Sequence, residues 1–321
     1  TCEVCNSYQK RQQKEPLLSH PVPSRPFERI GADLFEFEQK QFLLTADFYS
    51  GWFEIDLLPS PNTSTVVQKL KAHMSRYGIP EVLLTDNGPQ FDSSEFKQFQ
   101  KNWGFQHITS SPCYPQSNGG IERAVQTAKL LMKKARDSGE DCYMSLLNQR
   151  NTPRDDVLGS SAQRLMSRRT KTKLPTTEEQ LQPQPIKTTV VRERLQQYRD
   201  RQAKYYNRTA KRLQPLERGD VVRVESKNGF KKKGTILRKA EYPRSYIVES
   251  GNREYRRNRR QIIKVEEQPE YSEIEESESK QVTQDVRNGR ETAQEELFSN
   301  TSMEKKTRSG RVVKAPDRLN L

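Results

Sequence analysis

The chain has 321 residues, which is long for one compact core and indicates two or more domains. Only 31% of its residues are hydrophobic, so part of the chain is expected to remain unpacked. It has no apolar run near the roughly 18 residues that span a membrane, and no secretory signal segment opens it. Its four unevenly spaced cysteines do not form the disulfide framework of a small secreted protein.

The net charge of +14 is concentrated in one part of the chain. Residues 1–186 carry 23 Lys and Arg against 21 Asp and Glu, whereas residues 187–264 carry 24 against 8. A nearly neutral block followed by a strongly basic one is typical of a nuclease-like domain joined to a DNA-binding module. A merely solvated basic surface is the alternative, and an excess of 16 charges in that block makes it the weaker interpretation.

The chain begins with half of a zinc-site pattern. Cys2 and Cys5 have the spacing of a zinc ligand pair, but tetrahedral zinc needs four ligands and only His20 follows nearby. Because Thr1 directly precedes this pair, we expect the chain to be a piece of something longer. Two incidental free thiols are an equally open interpretation, and this piece alone should bind Zn²⁺ poorly.

Downstream of a proline-rich linker, the residue patterns predict alternating strands and helices. The predicted strands span residues 29–37, 41–48, 52–58, 81–85 and 105–108. The predicted helices span residues 63–77, 93–103 and about 117–136. Three consecutive strands followed by helix, strand, helix, strand and helix is the element order of an RNase H-like α/β fold.

Three acids stand at places where such a fold could bring them together. Asp33 lies in the first strand, Asp86 directly follows the fourth, and Glu122 opens the long helix. Three carboxylates on two strands and a helix can hold two Mg²⁺ or Mn²⁺ ions, the arrangement that promotes phosphodiester transfer. Each acid alone has a plainer explanation: a strand-edge carboxylate, a turn before Gly88, and a helix-dipole glutamate. Asp47 competes with Asp33 for the first position, and the residues alone leave that choice open.

The long helix has two distinct faces. Its apolar stripe should pack on the sheet; the residues are Ile121, Ala124, Val125, Ala128, Leu131, Met132 and Ala135. Gln126, Lys129 and Lys133 share a second face with Glu122, where we expect DNA contacts, although a solvated stripe is the alternative. Free backbone N–H groups of Gln116, Ser117 and Asn118 at the helix start suit a phosphate.

The basic block is predicted to contain a helical connector and then a small β-barrel. Short apolar runs separated by turn sequences over residues 219–265 predict the barrel. Basic residues interleaved with tyrosines predict DNA-backbone binding, with a barrel that binds protein or chromatin as the alternative. The candidate DNA contacts are Lys231, Lys232, Lys233, Arg256, Arg257, Arg259 and Arg260. The polar composition after residue 265 predicts disorder.

Together, the spaced acids, the segment Asn87-Gly88-Pro89-Gln90-Phe91 and the turn Pro115-Gln116-Ser117-Asn118-Gly119 resemble integrases of retroviruses and LTR retrotransposons of the Gypsy type. The resemblance implies that Asp33, Asp86 and Glu122 are the metal-binding triad, and that a His pair upstream of Cys2 would complete the zinc site. It implies a homo-multimeric enzyme that acts in the nucleus, trims element DNA ends and joins them to target double-stranded DNA.

These inferences divide the chain into five parts. We predict a zinc-module remnant and linker at 1–20, an RNase H-like integrase core at 21–175, a helical connector at 176–214, a basic barrel at 215–265 and a disordered tail at 266–321. Three alternative functions remain open at this point: a host-recruited, DNA- or chromatin-binding relic without catalysis, an RNase H-type nuclease, and an architectural DNA binder.

Overall fold

The computed structural model describes residues 2–18, 21–109, 119–226, 229–251 and 253–268. Three of the predicted DNA contacts, Gln116, Ser117 and Asn118, lie outside these ranges, as does nearly all of the predicted disordered tail. Within the described ranges, none of the helices combines the length and the apolar character that crossing a membrane would require.

The first sheet is mixed, and in the described part of the chain it has five strands in the order β3-β2-β1-β4-β5. The strands are β1 (Arg29–Phe37), β2 (Lys40–Asp47), β3 (Phe53–Leu58), β4 (Val82–Thr85) and β5 (Gln106–Thr109). The first three run antiparallel as a meander, and β4 and β5 lie parallel to β1. These strands agree with the predicted ones to within two residues at each end.

Eight α-helices are described. They are α1 (Glu3–Ser7), α2 (Thr63–Tyr77), α3 (Ser94–Trp103), α4 (Gly119–Ser138), α5 (Cys142–Asn151), α6 (Ser161–Met166), α7 (Glu178–Leu181) and α8 (Thr188–Asn207). Side-chain caps start several of them: Asn62 accepts a hydrogen bond from the Thr65 N–H and Ser93 accepts one from the Phe96 N–H. Such caps satisfy N–H groups that have no partner within the helix.

The first sheet is covered on both faces. Helices α2 and α3 bury Val66, Leu70 and Phe96 together with Leu43 and Leu83 of the sheet. Helix α4 covers the opposite face with Ile121, Ala128 and Leu131, together with Phe35, Leu44 and Phe53. The apolar stripe predicted for the long helix is therefore confirmed, and it fixes which face of α4 points away from the sheet.

Two glycines allow α4 to lie close to β1. A Cβ atom on Gly31 would stand 2.8 Å from Phe48 Cζ and 3.3 Å from Ile121 Cβ. One on Gly120 would stand 2.9 Å from Phe48 Cε1. The Phe48 ring thus fills the space that both glycines leave. The first turn of α4 therefore packs against β1 at Gly31, which is two residues before Asp33.

The predicted connector contains a long helix that packs on the core. Val191 and Leu195 of α8 are buried against Tyr49 and Leu158. Asp155 strengthens this contact, because its Oδ2 accepts hydrogen bonds from Arg194 Nε at 2.9 Å and Tyr198 Oη at 2.7 Å. The helix is therefore part of the folded body along its first half.

The basic block forms a second, antiparallel sheet. Its described strands follow the order β10-β6-β7-β8-β9. They are β6 (Val221–Ser226), β7 (Gly229–Lys239), β8 (Ser245–Ser250), β9 (Arg253–Asn258) and β10 (Ile262–Lys264). Val222, Ile236, Val248 and Ile262 are buried on one face. The all-β prediction is confirmed, while the described strand pairings do not show a closed barrel.

The N-terminal segment runs along this second sheet. Gln12 contacts both ends of the β9–β10 connection: its Nε2 donates to Ile262 O at 3.4 Å, and its carbonyl accepts from Arg260 Nε at 3.0 Å. Asn6 Nδ2 donates to Glu267 Oε1 at 2.7 Å. The sequence predicted a zinc-module remnant and linker over residues 1–20. The partners of this segment in the second sheet are distant in the sequence, so no local pattern indicated this packing.

Candidate active site

Asp33 and Asp86 lie at the same edge of the first sheet. Strands β1 and β4 are parallel, with Gly31 paired to Leu84. Asp33 is two residues beyond Gly31, and Asp86 is two residues beyond Leu84. Because neighbouring strands are about 4.8 Å apart, continuing this register brings the two acids side by side where β4 ends.

Asp86 also forms the turn that its local sequence predicts. Its Oδ1 accepts a hydrogen bond from the Gly88 N–H at 3.0 Å, and its side chain is exposed. The buried Thr85 donates its hydroxyl proton to Asp86 O at 2.6 Å and contacts His107 Nε2 at 2.8 Å. Since a hydroxyl has one proton, His107 Nε2 is the donor in that second contact. The sequence analysis did not identify Thr85 and His107 as supports of the Asp86 backbone.

Glu122 reaches the same region from above the sheet. It follows Ile121, whose side chain is fully buried against Gly31. Glu122 itself is half-buried, and burial raises the pKa of its carboxyl group. The close seat of α4 on Gly31 therefore sets the position of this acid relative to β1.

The three acids interact electrostatically. The pKa of Asp33 is raised to about 6, first by burial, then by the negative charge of Asp86 and, more weakly, by that of Glu122, while the N–H of Leu34 and the ammonium of Lys129 act in the opposite direction. Like charges that raise a carboxyl pKa are typical of functional sites, although structural clusters also produce such shifts. The edge formed by these three residues is the candidate active site.

The oxygen-only donors of the candidate active site have the chemistry that Mg²⁺ and Mn²⁺ prefer. Among the described residues, however, no group of three or more His, Cys, Asp and Glu side chains is close enough to hold a metal ion. The residue types therefore fit a divalent cation, while the predicted ligand cluster of Asp33, Asp86 and Glu122 is not assembled as a unit. Its role in metal binding stays a prediction.

Asp47, the competing first acid, has a different environment. It is opposite Ile30, three residues before Asp33 along β1, and only 1% of it is exposed. Its Oδ1 accepts from the N–H groups of Phe27 and Tyr49, and its Oδ2 accepts from the N–H and hydroxyl of Ser50. Both oxygens hold the β2–β3 turn, so the geometry favours Asp33.

The second face of α4 is exposed as expected. Gln126, Lys129 and Lys133 are all exposed, and Lys129 Nζ stands 5.7 Å from the centre of the Phe35 ring. This position places a positive charge close enough to Asp33 to lower its pKa. These exposed side chains are accessible to a phosphate, and their contact with DNA stays a prediction.

Some of the predicted DNA contacts on the second sheet form stacked cations on its surface. Lys232 Nζ lies 3.6 Å from the centre of the Tyr255 ring, and Arg257 Cζ lies 5.3 Å from the same ring. Arg256 Cζ lies 4.5 Å from the Tyr242 ring, and its Nη2 donates to Thr109 Oγ1 at 3.0 Å. Lys231 is exposed on the same strand as Lys232.

Three of the predicted DNA contacts, Lys233, Arg259 and Arg260, bond other parts of the chain, and their contact with DNA stays a prediction. Arg259 is 6% exposed and donates to Gln214 O at 2.6 Å and Ile262 O at 2.7 Å, so it is a structural residue. Lys233 Nζ is paired with Glu3 at 3.4 Å and Glu267 at 3.6 Å. Arg260 is half-buried and holds the N-terminal segment through its bond to Gln12. The N-terminal segment therefore contacts Lys233 and Arg260, whereas Arg259 bonds two backbone carbonyls beside the second sheet.

Cys2 and Cys5 are exposed, free thiols at the start of α1. Hydrogen bonds from Cys5, first from its backbone and then from its thiol, lower the pKa of the Cys2 thiol. The described residues supply no third ligand, and His20 lies outside them. The half zinc site remains a prediction.

Comparison with known families identifies the first domain. Residues 23–115 match the family model described as "Integrase core domain". An uncharacterised protein of Caenorhabditis elegans is 32% identical over 165 residues, which are 50% of this chain and 13% of that protein. The Gag-Pol polyprotein of Walleye dermal sarcoma virus is 27% identical over 140 residues, 42% of this chain and 8% of the polyprotein. The chain therefore spans a small fraction of each of these relatives.

A solved structure shows the same fold over a longer range. A chain of the simian T-cell lymphotropic virus intasome, solved in complex with the PP2A regulatory subunit B56 gamma, has a TM-score of 0.52 and 16% sequence identity. The similarity covers 82% of this chain and 87% of the solved one. Residues 23–115 therefore form an integrase core domain similar to part of a retroviral Gag-Pol polyprotein, and the solved structure supports the same fold over a longer stretch of the chain.

Proposed function

We propose that this protein is a polynucleotidyl transferase that trims the 3′ ends of element DNA and joins them to target DNA. Water is the nucleophile in the first step and the freed 3′ hydroxyl is the nucleophile in the second. Asp33, Asp86 and Glu122 are the catalytic carboxylates. The relatives' membership of Pol polyproteins supports this reaction class, and the electrostatic interaction of Asp33 with the two other acids is the observation that carries the residue assignment.

The carboxylates would bind two Mg²⁺ or Mn²⁺ ions, which activate a nucleophile and stabilise the charge that develops on a phosphodiester. Asp33 and Asp86 lie on adjacent parallel strands, and Glu122 is on a helix packed over them. Small adjustments of α4 relative to β1 would therefore change the distance between Glu122 and the two strand acids.

Substrate positioning is assigned to two basic surfaces. Gln126, Lys129 and Lys133 on α4 would contact DNA near the candidate active site, and the stacked cations of the second sheet would contact the duplex backbone. Phosphate contacts of this kind give salt-sensitive affinity with little sequence preference. Because two DNA ends are joined to one target, we propose a homo-multimer, which would act on chromosomal DNA in the nucleus.

The test is a joining assay with duplex oligonucleotides that carry the element's ends, in Mg²⁺ or Mn²⁺. Glu122→Gln is expected to abolish joining because it removes a charge that a metal ion requires. Salt-dependent DNA binding should remain unchanged. Glu95→Gln is the matched control, since Glu95 is an exposed first-turn glutamate of α3.

Full joining by the Glu122→Gln protein would refute the mechanism. Cleavage of an RNA–DNA hybrid without joining would support the nuclease alternative. If the unaltered protein binds DNA but neither cuts nor joins it with either metal, the catalytic proposal fails and the interpretation as a DNA-binding relic stands.

A further inference from the structure

An arginine-lined cleft lies between the β2–β3 turn and helices α4 and α6, and Phe48 is part of its lining. Its volume is about 380 Å³. Three cationic side chains line it, one from each of three separate segments of the chain; they are Arg123, Arg154 and Arg164. The hydroxyl-bearing residues Thr127, Thr152 and Ser161 line the same space.

Arg164 is an unusual residue for a protein interior. It is only 7% exposed, and its Nη1 atom is buried without a hydrogen-bond partner among the described residues. Its Nε makes one long contact, 3.4 Å to Ser160 O. A buried guanidinium with an unused donor is costly unless an acceptor reaches it. The Nη2 atom points toward Gly51, where a Cβ would stand 3.4 Å from it and 3.7 Å from Ser161 Oγ.

The acids near Arg164 are already engaged. Asp47 also lines the cleft, but its two oxygens accept the hydrogen bonds that hold the β2–β3 turn. Asp155 is bonded to Arg194 and Tyr198 of α8. Within the described part of the chain, none of the three cleft arginines forms a salt bridge with an acid. The cleft therefore carries an excess of positive charge with hydroxyl donors beside it.

We propose that this cleft binds a phosphate group. A tetrahedral anion with several acceptor oxygens can take bonds from Arg164 at the base of the cleft and from Arg123 and Arg154 at its mouth. Guanidinium groups suit phosphate because they present paired donors in a plane. The volume leaves room for the group that the phosphate esterifies, so the source is either a free phosphate compound or a backbone phosphate of bound DNA. The site is separate from the carboxylates of the candidate active site and does not depend on their function.

The experiment measures thermal unfolding of the full chain against inorganic phosphate and pyrophosphate, with ionic strength held constant by chloride. Binding to the folded state raises Tm as the ligand concentration rises. Arg164→Gln and Arg154→Gln should each weaken the apparent affinity by about tenfold or more, the effect of losing a charge-assisted hydrogen bond. Arg154 is exposed, so its variant is expected to fold. Arg168→Gln, at an exposed arginine outside the cleft, is the matched control and should bind as the unaltered protein does.

No stabilisation beyond that of chloride, or an equal loss in Arg168→Gln, would overturn the proposal. A second arm titrates duplex DNA into the Arg154→Gln protein. The site is assigned to a DNA phosphate if two results are found: Arg154→Gln binds DNA more weakly, and free phosphate competes with DNA for the unaltered protein. Unchanged DNA binding, with phosphate binding lost, assigns it to a free phosphate compound.

Discussion

Arg256 of the second sheet donates a hydrogen bond from Nη2 to Thr109 Oγ1, at the end of β5 in the first sheet. Thr109 is paired with Thr85, the residue before Asp86. Arg256, which stacks on Tyr242, therefore contacts β5, the strand next to β4, and Asp86 directly follows β4. DNA bound along the stacked cations would therefore be directed toward the edge that carries Asp33 and Asp86.

Two neighbouring lysines of β7 should respond differently in DNA binding. Lys232 stacks on Tyr255 at the surface, whereas Lys233 is paired with Glu3 and Glu267. We expect Lys232→Gln to weaken duplex binding uniformly across sequences and to lower the salt-dependence slope by about 1. Lys233→Gln should leave that slope unchanged. The measurement is duplex affinity by fluorescence anisotropy over a series of salt concentrations, and equal slopes for both variants would contradict the assignment.

Two adjacent glycines of α4 give a sharp test of its contact with β1. Gly120→Ala places a Cβ 2.9 Å from Phe48 Cε1, and Phe48 is already held against Gly31. We expect a loss of about 1 to 3 kcal/mol in unfolding free energy from overpacking, and reduced joining because Glu122 shifts with the helix. Urea unfolding measures the first effect.

Gly119→Ala is the control for this prediction. A Cβ there meets nothing within 4 Å, so the variant should be as stable as the unaltered protein or slightly more stable. Equal stability of Gly119→Ala and Gly120→Ala would contradict the prediction, because it would show that the close contact of Gly120 with Phe48 does not hold α4 and Glu122 in place.

The buried Arg259 is predicted to support the second sheet and not to bind DNA. Arg259→Met removes the donors to Gln214 O and Ile262 O, and Ile262 O then keeps the longer side-chain bond from Gln12 Nε2. We expect a loss of about 2 to 4 kcal/mol in unfolding free energy. Arg253→Met, at an exposed position of β9, should change it by no more than about 0.5 kcal/mol. A DNA-affinity loss in Arg259→Met without destabilisation would contradict this role.

Sequence alone predicted the elements whose patterns are local. The strand runs and the stripe of α4 depend on periodicity, so their faces were readable from Ile121, Ala128 and Leu131. The buried position of Arg259 could not be predicted from the sequence, because the residue types in a run of arginines do not indicate which side chains are buried. The turn held by Asp47 and the bond from Arg260 to Gln12 depend on residues distant in the sequence or on exact backbone geometry, and no periodic signal reports them.

His107 is expected to make stability depend on pH. Burial lowers its pKa to about 4, from an ordinary value near 6.5, with a smaller contribution from the charge of Lys97 and an opposing one from Asp92. The unfolded chain therefore binds more protons than the folded one between these two values. The stability that His107 contributes is fully present above about pH 6.5, and it is lost as the pH falls toward 4.

His107→Gln should remove this loss while keeping a donor for Thr85 Oγ1. Unfolding free energies from urea titrations at pH 4.5, 5.5 and 7 provide the measurement. The variant should gain stability relative to the unaltered protein as the pH falls, because Gln has no proton to take up. Asp33 has the opposite effect on stability in the same pH range, because its raised pKa stabilises the folded state as the pH falls. Asp33 is present in both proteins, so its effect cancels in the comparison. The difference between the two proteins therefore isolates His107, and a difference that does not change with pH would show that this imidazole is not desolvated beside Thr85.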